Sequence, residues 1–150
     1  MSKTPNIAKL FVLLLITSTA LLIQNPSSNA NPSATLKIEP EKIIDVSLVS
    51  GSKIVLNVSV VDAQDLYTWQ IKVLFNPMVL TCTAAKLPPY HMFAGKPYSE
   101  VVPIINNTAG YVLYAASLIG DYKVSGSGIL CQMNFTVAGK GVSNLNFSRP

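Results

Sequence analysis

The chain has 150 residues, 49% of them apolar and 12% charged, with 11 Lys/Arg against 7 Asp/Glu and a formal charge of +4. Without Lys3 and Lys9 the excess is +2, and that balance, with no basic cluster among the aromatics, argues against a nucleic-acid surface. Two Cys and one distant His do not make a zinc ligand set.

The N-terminus reads as an export signal. Lys3 and Lys9 form a basic segment, Leu10–Ile23 is an apolar run of 14 residues, and Ser28-Asn29-Ala30 puts small residues where a signal peptidase reads. Residues 1–30 are expected to be a signal-peptide helix cleaved after Ala30. The run falls short of the roughly 20 apolar residues of a membrane span. The alternative, an uncleaved anchor, also leaves the remainder outside the cell. Asn31–Pro150 is then one exported domain of 120 residues, secreted or held at the cell surface, with nine basic and seven acidic residues.

Beyond a polar lead-in, period-2 alternation recurs. Thr35–Pro40 is a first strand, with Leu36 and Ile38 opposite Lys37 and Glu39. Lys42–Leu48 continues extended, and Ser50-Gly51-Ser52 turns the chain. In Lys53–Asp62, Ile54, Leu56, Val58 and Val60 share one face. Asp62-Ala63-Gln64-Asp65 reads as a polar connection into Leu66–Pro77. There Trp69, Ile71, Val73 and Phe75 face inward while Thr68, Gln70 and Lys72 face outward, until Asn76-Pro77 ends the strand. Val79–Ala85 is next. Lys86–Ser99, broken by Pro88, Pro89, Gly95 and Pro97, is the longest irregular stretch. Glu100–Ile105 is extended again, Asn106–Gly110 is a hairpin-type turn, and Tyr111–Ile119 is a strand apolar on both faces. Gly120–Gly128 reads as a Gly/Ser-rich link, Ile129–Ala138 as an alternating strand, and Val142–Ser148 as a short strand with Leu145 and Phe147 inward.

No segment of the exported part sustains a 3.6-residue period. Eight short strands with turn signals between them predict an all-β antiparallel sandwich whose core holds Trp69, Phe75, Tyr114, Phe135 and Phe147. The chain ends directly after the eighth, as if a last strand were missing.

Cys82 and Cys131 both lie in the exported part, where disulfides persist, so a bridge between them is expected; the alternative is two buried free thiols. Four glycosylation sequons begin at Asn57, Asn106, Asn134 and Asn146. Catalysis has no support. The lone His91 sits in the Pro-rich stretch without a nearby carboxylate and reads as a surface-loop residue. Asp62 and Asp65 lack the spacing of a calcium loop and read as a capped turn, and Gly126-x-Gly128 precedes a strand rather than a helix.

The order of several loose motifs is similar to that of a known family. They are Lys37-Ile38-Glu39-Pro40, Asp65-Leu66-Tyr67, the run Gln70–Leu80, Ala109-Gly110-Tyr111 with its following strand, Ser125–Leu130, Met133–Val137 and Gly141–Phe147. Together these resemble the cohesin domain, over about Thr35–Phe147. The resemblance implies a nine-strand jelly-roll sandwich and a non-catalytic module that binds dockerins, whose calcium the partner carries. It also implies that the strands of Cys82 and Cys131 are neighbours, which would favour their bridge, and that one more strand pairs with the first.

Cohesins take the dockerin against one sheet. Carried over by alternation, the partner face is Thr68, Gln70 and Lys72 with Tyr111, Leu113, Ala115 and Ser117. Thr68 and Gln70 stand where family members often have Asn or Asp. An apolar row beside a polar one suits a protein interface. A carbohydrate-binding module is the competing expectation. With Trp69 inward, it would use Tyr90, Phe93 and Tyr98 of the long loop to hold polysaccharide. Membrane attachment would come only through the uncleaved signal or a C-terminal anchor beyond Pro150.

Overall fold

The computed structural model describes residues 34–45 and 47–149. The expected signal peptide lies outside them. The described residues carry nine strands: β1 (Thr35–Glu39), β2 (Lys53–Leu66), β3 (Thr68–Leu74), β4 (Leu80–Lys86), β5 (Tyr98–Glu100), β6 (Ile104–Asn106), β7 (Tyr111–Leu118), β8 (Val124–Val137) and β9 (Asn146–Ser148). They form two antiparallel sheets. One has the order β1-β2-β8-β4; the other runs β5-β7-β3-β9, with β6 also paired to β7.

Inner faces follow the alternation. Trp69, Ile71 and Val73 of β3 are buried, and so are Leu56, Val58 and Val60 of β2 and Val112, Tyr114, Ala116 and Leu118 of β7. Trp69 meets Tyr114 edge-on at 5.4 Å between ring centres. Phe75, just past β3, meets Phe135 of the opposite sheet at 5.2 Å and 75°. Fully burying such a side chain contributes about 1.5–3 kcal/mol. Phe147, expected in the core, is only half-buried, because β9 is a three-residue edge strand.

Nine strands replace the expected eight because Glu100–Ile105 splits in two. Val101 N still donates to Ala115 O at 3.1 Å, but Pro103 has no N–H to offer, and the chain lifts away between β5 and β6. The tracts read as a connection (62–65) and a link (120–128) are largely strand. β2 and β8 continue side by side through two register shifts, from Val60 to Ala63 and from Ala63 to Leu66. Asp62 and Asp65 adopt φ of 57° and 49° at these bulges. Their N–H groups donate instead to Ser127 Oγ and Ser125 Oγ, each at 3.0 Å. Asp tolerates the left-handed region, which is why the same residues read as a turn.

Two other expected strands are shorter or absent. Of Val142–Ser148 only β9 pairs, since Ser143 Oγ accepts from Asn76 N at 2.9 Å and draws the preceding residues to the turn after β3. The described residues of Lys42–Leu48 form no strand; there Asp45 Oδ1 accepts from Ser47 N and Oγ at 2.8 and 2.6 Å.

The expected disulfide is not formed. β4 and β8 are neighbours, but Cys82 faces Phe135, four residues from Cys131. That is on the order of 13 Å of strand, against the roughly 4.4–6.8 Å between Cα atoms that a bridge requires. Both are buried free thiols. Burial pushes their pKa values up, to about 11 for Cys82 and about 12 for Cys131.

Gly110 fixes the hairpin before β7. It has φ of 70°, its carbonyl accepts from Phe75 N at 2.8 Å, and a Cβ there would run into the Phe75 carbonyl and the Pro77 ring.

Candidate partner-binding face

The seven residues expected to form a partner face lie on the outer side of one antiparallel pair. Thr68 faces Ser117, Gln70 faces Ala115, Lys72 faces Leu113, and Leu74 faces Tyr111 across β3 and β7. Thr68 and Gln70 are exposed; Lys72 and the outward residues of β7 are half-buried. Two hydroxyls on this face are already engaged. Thr68 Oγ1 donates to Ala116 O, and Ser117 Oγ to Leu118 O, both at 3.2 Å. Lys72 Nζ stands 4.9 Å from the centre of the Tyr111 ring. Such a contact at an exposed site contributes about 0.5–1 kcal/mol and holds the cation in place.

The flanking strands widen this surface. Ile104 and Asn106 of β6 sit opposite Leu113 and Tyr111, and Ser148 and Asn146 of β9 sit opposite Lys72 and Leu74. Val101, Val102 and Ile104 are 61%, 82% and 51% exposed. The face therefore has a polar half on β3 and β9 and an apolar half on β7 and β6. Leu74 was legible as the next outward step of its strand. Val101, Val102 and Ile104 were not, because the break at Pro103 decides which way they point.

The other sequence candidates separate. His91 is buried, at 6% exposure, rather than in a surface loop. Its Nδ1 accepts from Phe93 N at 3.2 Å and its ring meets Tyr98 edge-on at 4.8 Å. Burial lowers its pKa, and the charge of Glu100 pulls it back up. Tyr114 OH donates to Glu100 Oε2; burial first, then this contact, raises its pKa. Of the aromatics considered for carbohydrate, Phe93 is fully buried and is a core residue, whereas Tyr90 and Tyr98 are 63% and 39% exposed. Asp62 and Asp65 are bulge residues rather than a capped turn. Asp65 reaches Lys123 Nζ at 4.0 Å, with both side chains largely in solvent. No group of three or more His, Cys, Asp or Glu among the described residues could hold a metal ion.

The sequon asparagines divide between the sheets. Asn57 and Asn134 lie on the outer side of the four-stranded sheet. Asn57 Oδ1 accepts from Gln132 Nε2 at 3.2 Å, whereas Asn134 Oδ1 is buried without a hydrogen-bond partner. Asn106 accepts from Ala109 N at 2.8 Å, and Asn146 is exposed on β9. A shallow cleft of about 260 Å³ beside β1, lined by Glu39, Ser59 and Gly128 among others, is already served internally: Ser59 Oγ donates to Glu39 at 2.8 Å.

No family model matches this chain, and no curated protein is similar to it in sequence. Solved structures are similar to it in fold. A type II cohesin–X–dockerin complex from Acetivibrio cellulolyticus matches with a TM-score of 0.60 at 13% identity, over 78% of this chain and 77% of that one. A type II cohesin domain from the cellulosome of the same organism matches with a TM-score of 0.58 at 12% identity, over 79% and 77%. The third cohesin of ScaC from that organism, in complex with the ScaB dockerin, matches with a TM-score of 0.54 at 16% identity, over 66% and 72%. The chain has the cohesin fold.

Proposed function

We propose that this chain is a non-catalytic attachment module, exported by its N-terminal leader, that takes a dockerin-like protein on the outer face of β3 and β7. The reading is supported by the fold match to cohesins, two of them in complexes with dockerins, and by a sheet of this chain that presents an apolar strip beside a Lys held against a Tyr ring. An outer sheet face can bury area against a protein partner without the deep pocket that a small substrate requires. Calcium belongs to the partner in this reading, where it would order the dockerin's loops.

The test is capture of exported proteins from the source organism on the immobilised protein, with and without a calcium chelator. The reading expects a partner retained only with calcium. Lys72→Glu and Leu113→Arg should each weaken the complex at least tenfold, about 1.4 kcal/mol or more, as central interface positions do. Retention unaffected by both substitutions would place the contact elsewhere.

A further inference from the structure

The end of the sandwich where β3 begins and β7 finishes gathers aromatic rings that the partner face does not use. Leu118 N donates to Tyr67 O at 2.9 Å, and Tyr98 faces Leu118 from the other side. Tyr67, just before β3, Leu118 of β7 and Tyr98 of β5 thus form one row. Leu118 is buried, while Tyr67 is 43% exposed and Tyr98 39%. Two interstrand spacings separate the tyrosines, roughly 10 Å, comparable with the length of a disaccharide. The loop after β7 joins the same end. Ile119 N donates to Pro97 O at 3.0 Å, and the adjacent Lys96 Nζ stands 5.5 Å from the centre of the Tyr122 ring, which is 47% exposed. Three half-exposed rings are therefore gathered at this end: Tyr67 between β2 and β3, Tyr98 on β5 with one side of its ring against His91, and Tyr122 in the loop after β7.

We propose that this end binds a neutral polysaccharide, as a second site separate from the partner face. Sugar rings present C–H faces that pack on aromatic faces, and hydroxyl edges that need polar neighbours. The rings here supply the first and their own hydroxyls part of the second. Near these rings Lys96 lies against Tyr122, Lys123 lies 4.0 Å from Asp65, Asp121 adjoins Tyr122 in the chain, and Glu100 accepts from Tyr114, so no strong charge of either sign selects an acidic or a basic polymer. The apolar contribution beyond the rings is small, Ile119 being the chief exposed aliphatic there.

The test is native gel electrophoresis of the protein through gels containing hydroxyethyl cellulose, glucomannan or arabinoxylan, with polygalacturonate as the charged control. The proposal expects retardation by at least one neutral polymer. Tyr67→Ala and Tyr122→Ala should each weaken it about tenfold, while Leu113→Arg on the partner face leaves it unchanged. Tyr122 is in a loop, so its variant keeps the test valid if Tyr67→Ala lowers the melting temperature. No retardation by any neutral polymer, retardation by polygalacturonate alone, or retardation indifferent to Tyr122→Ala each overturns the proposal.

Discussion

Phe75 and Phe135 come from different sheets and touch edge to face at 5.2 Å, with 5% and 1% of their surfaces exposed. Changing either to Leu keeps most of the volume and should destabilise by about 1–1.5 kcal/mol. Both changes remove the same contact, so the double variant should lose less than the sum by roughly 0.5–1.5 kcal/mol, the coupling measured for aromatic pairs. A domain of this size is stable by about 5–15 kcal/mol, so all three variants remain folded. Urea unfolding followed by Trp fluorescence suits the cycle, because the single Trp69 is buried against Tyr114 and reports on the same core. Additivity within about 0.3–0.5 kcal/mol, the behaviour of distant sites, would refute the face-to-face packing of the two sheets.

Other consequences are local. Both thiols should be unreactive toward a disulfide reagent in the native protein and titrate as two per chain after unfolding. Reductant should leave the melting temperature unchanged, whereas a bridge would show no thiols and lose about 2–4 kcal/mol on reduction. His91 should make the protein acid-sensitive. Its folded pKa lies below the ordinary 6.5, so the unfolded chain takes up a proton first. Its stabilising contribution is in place above pH 6.5 and is lost as pH falls. His91→Gln should flatten the decline in denaturant midpoint just below pH 6.5, and equal slopes for the two proteins would contradict this.

The sandwich was legible where alternation was strict. Trp69, Ile71 and Val73 on one side and Thr68, Gln70 and Lys72 on the other left one register for β3, because a one-residue slip would expose the core. Hydroxyl-rescued bulges were not legible. Asp62, Asp65, Ser125 and Ser127 are turn formers in any local reading, and only pairing across about 60 residues of sequence turns them into strand. The bridge failed for a related reason. Neighbouring strands follow from topology, whereas the four-residue offset between Cys82 and Cys131 depends on ladder register that no spacing reveals. His91 read as a surface residue because nothing in its local sequence shows that Tyr98 packs on its ring and that Phe93 N donates to its Nδ1. The outward rows of β3 and β7 followed from alternation and resemblance together, but the apolar edge at Val101–Ile104 needed the break at Pro103 to be seen.

Hydroxyl-radical footprinting with and without the captured partner tests whether a dockerin-like protein covers β3 and β7. Tyr111, Leu113 and Lys72 are half-buried on that face and still reach solvent. Their oxidation should fall sharply in the complex while Tyr122, at the end of the sandwich, stays as reactive as before. Unchanged oxidation of Tyr111 and Leu113, with protection appearing instead on Val55 or Thr136 of the opposite sheet, would contradict it.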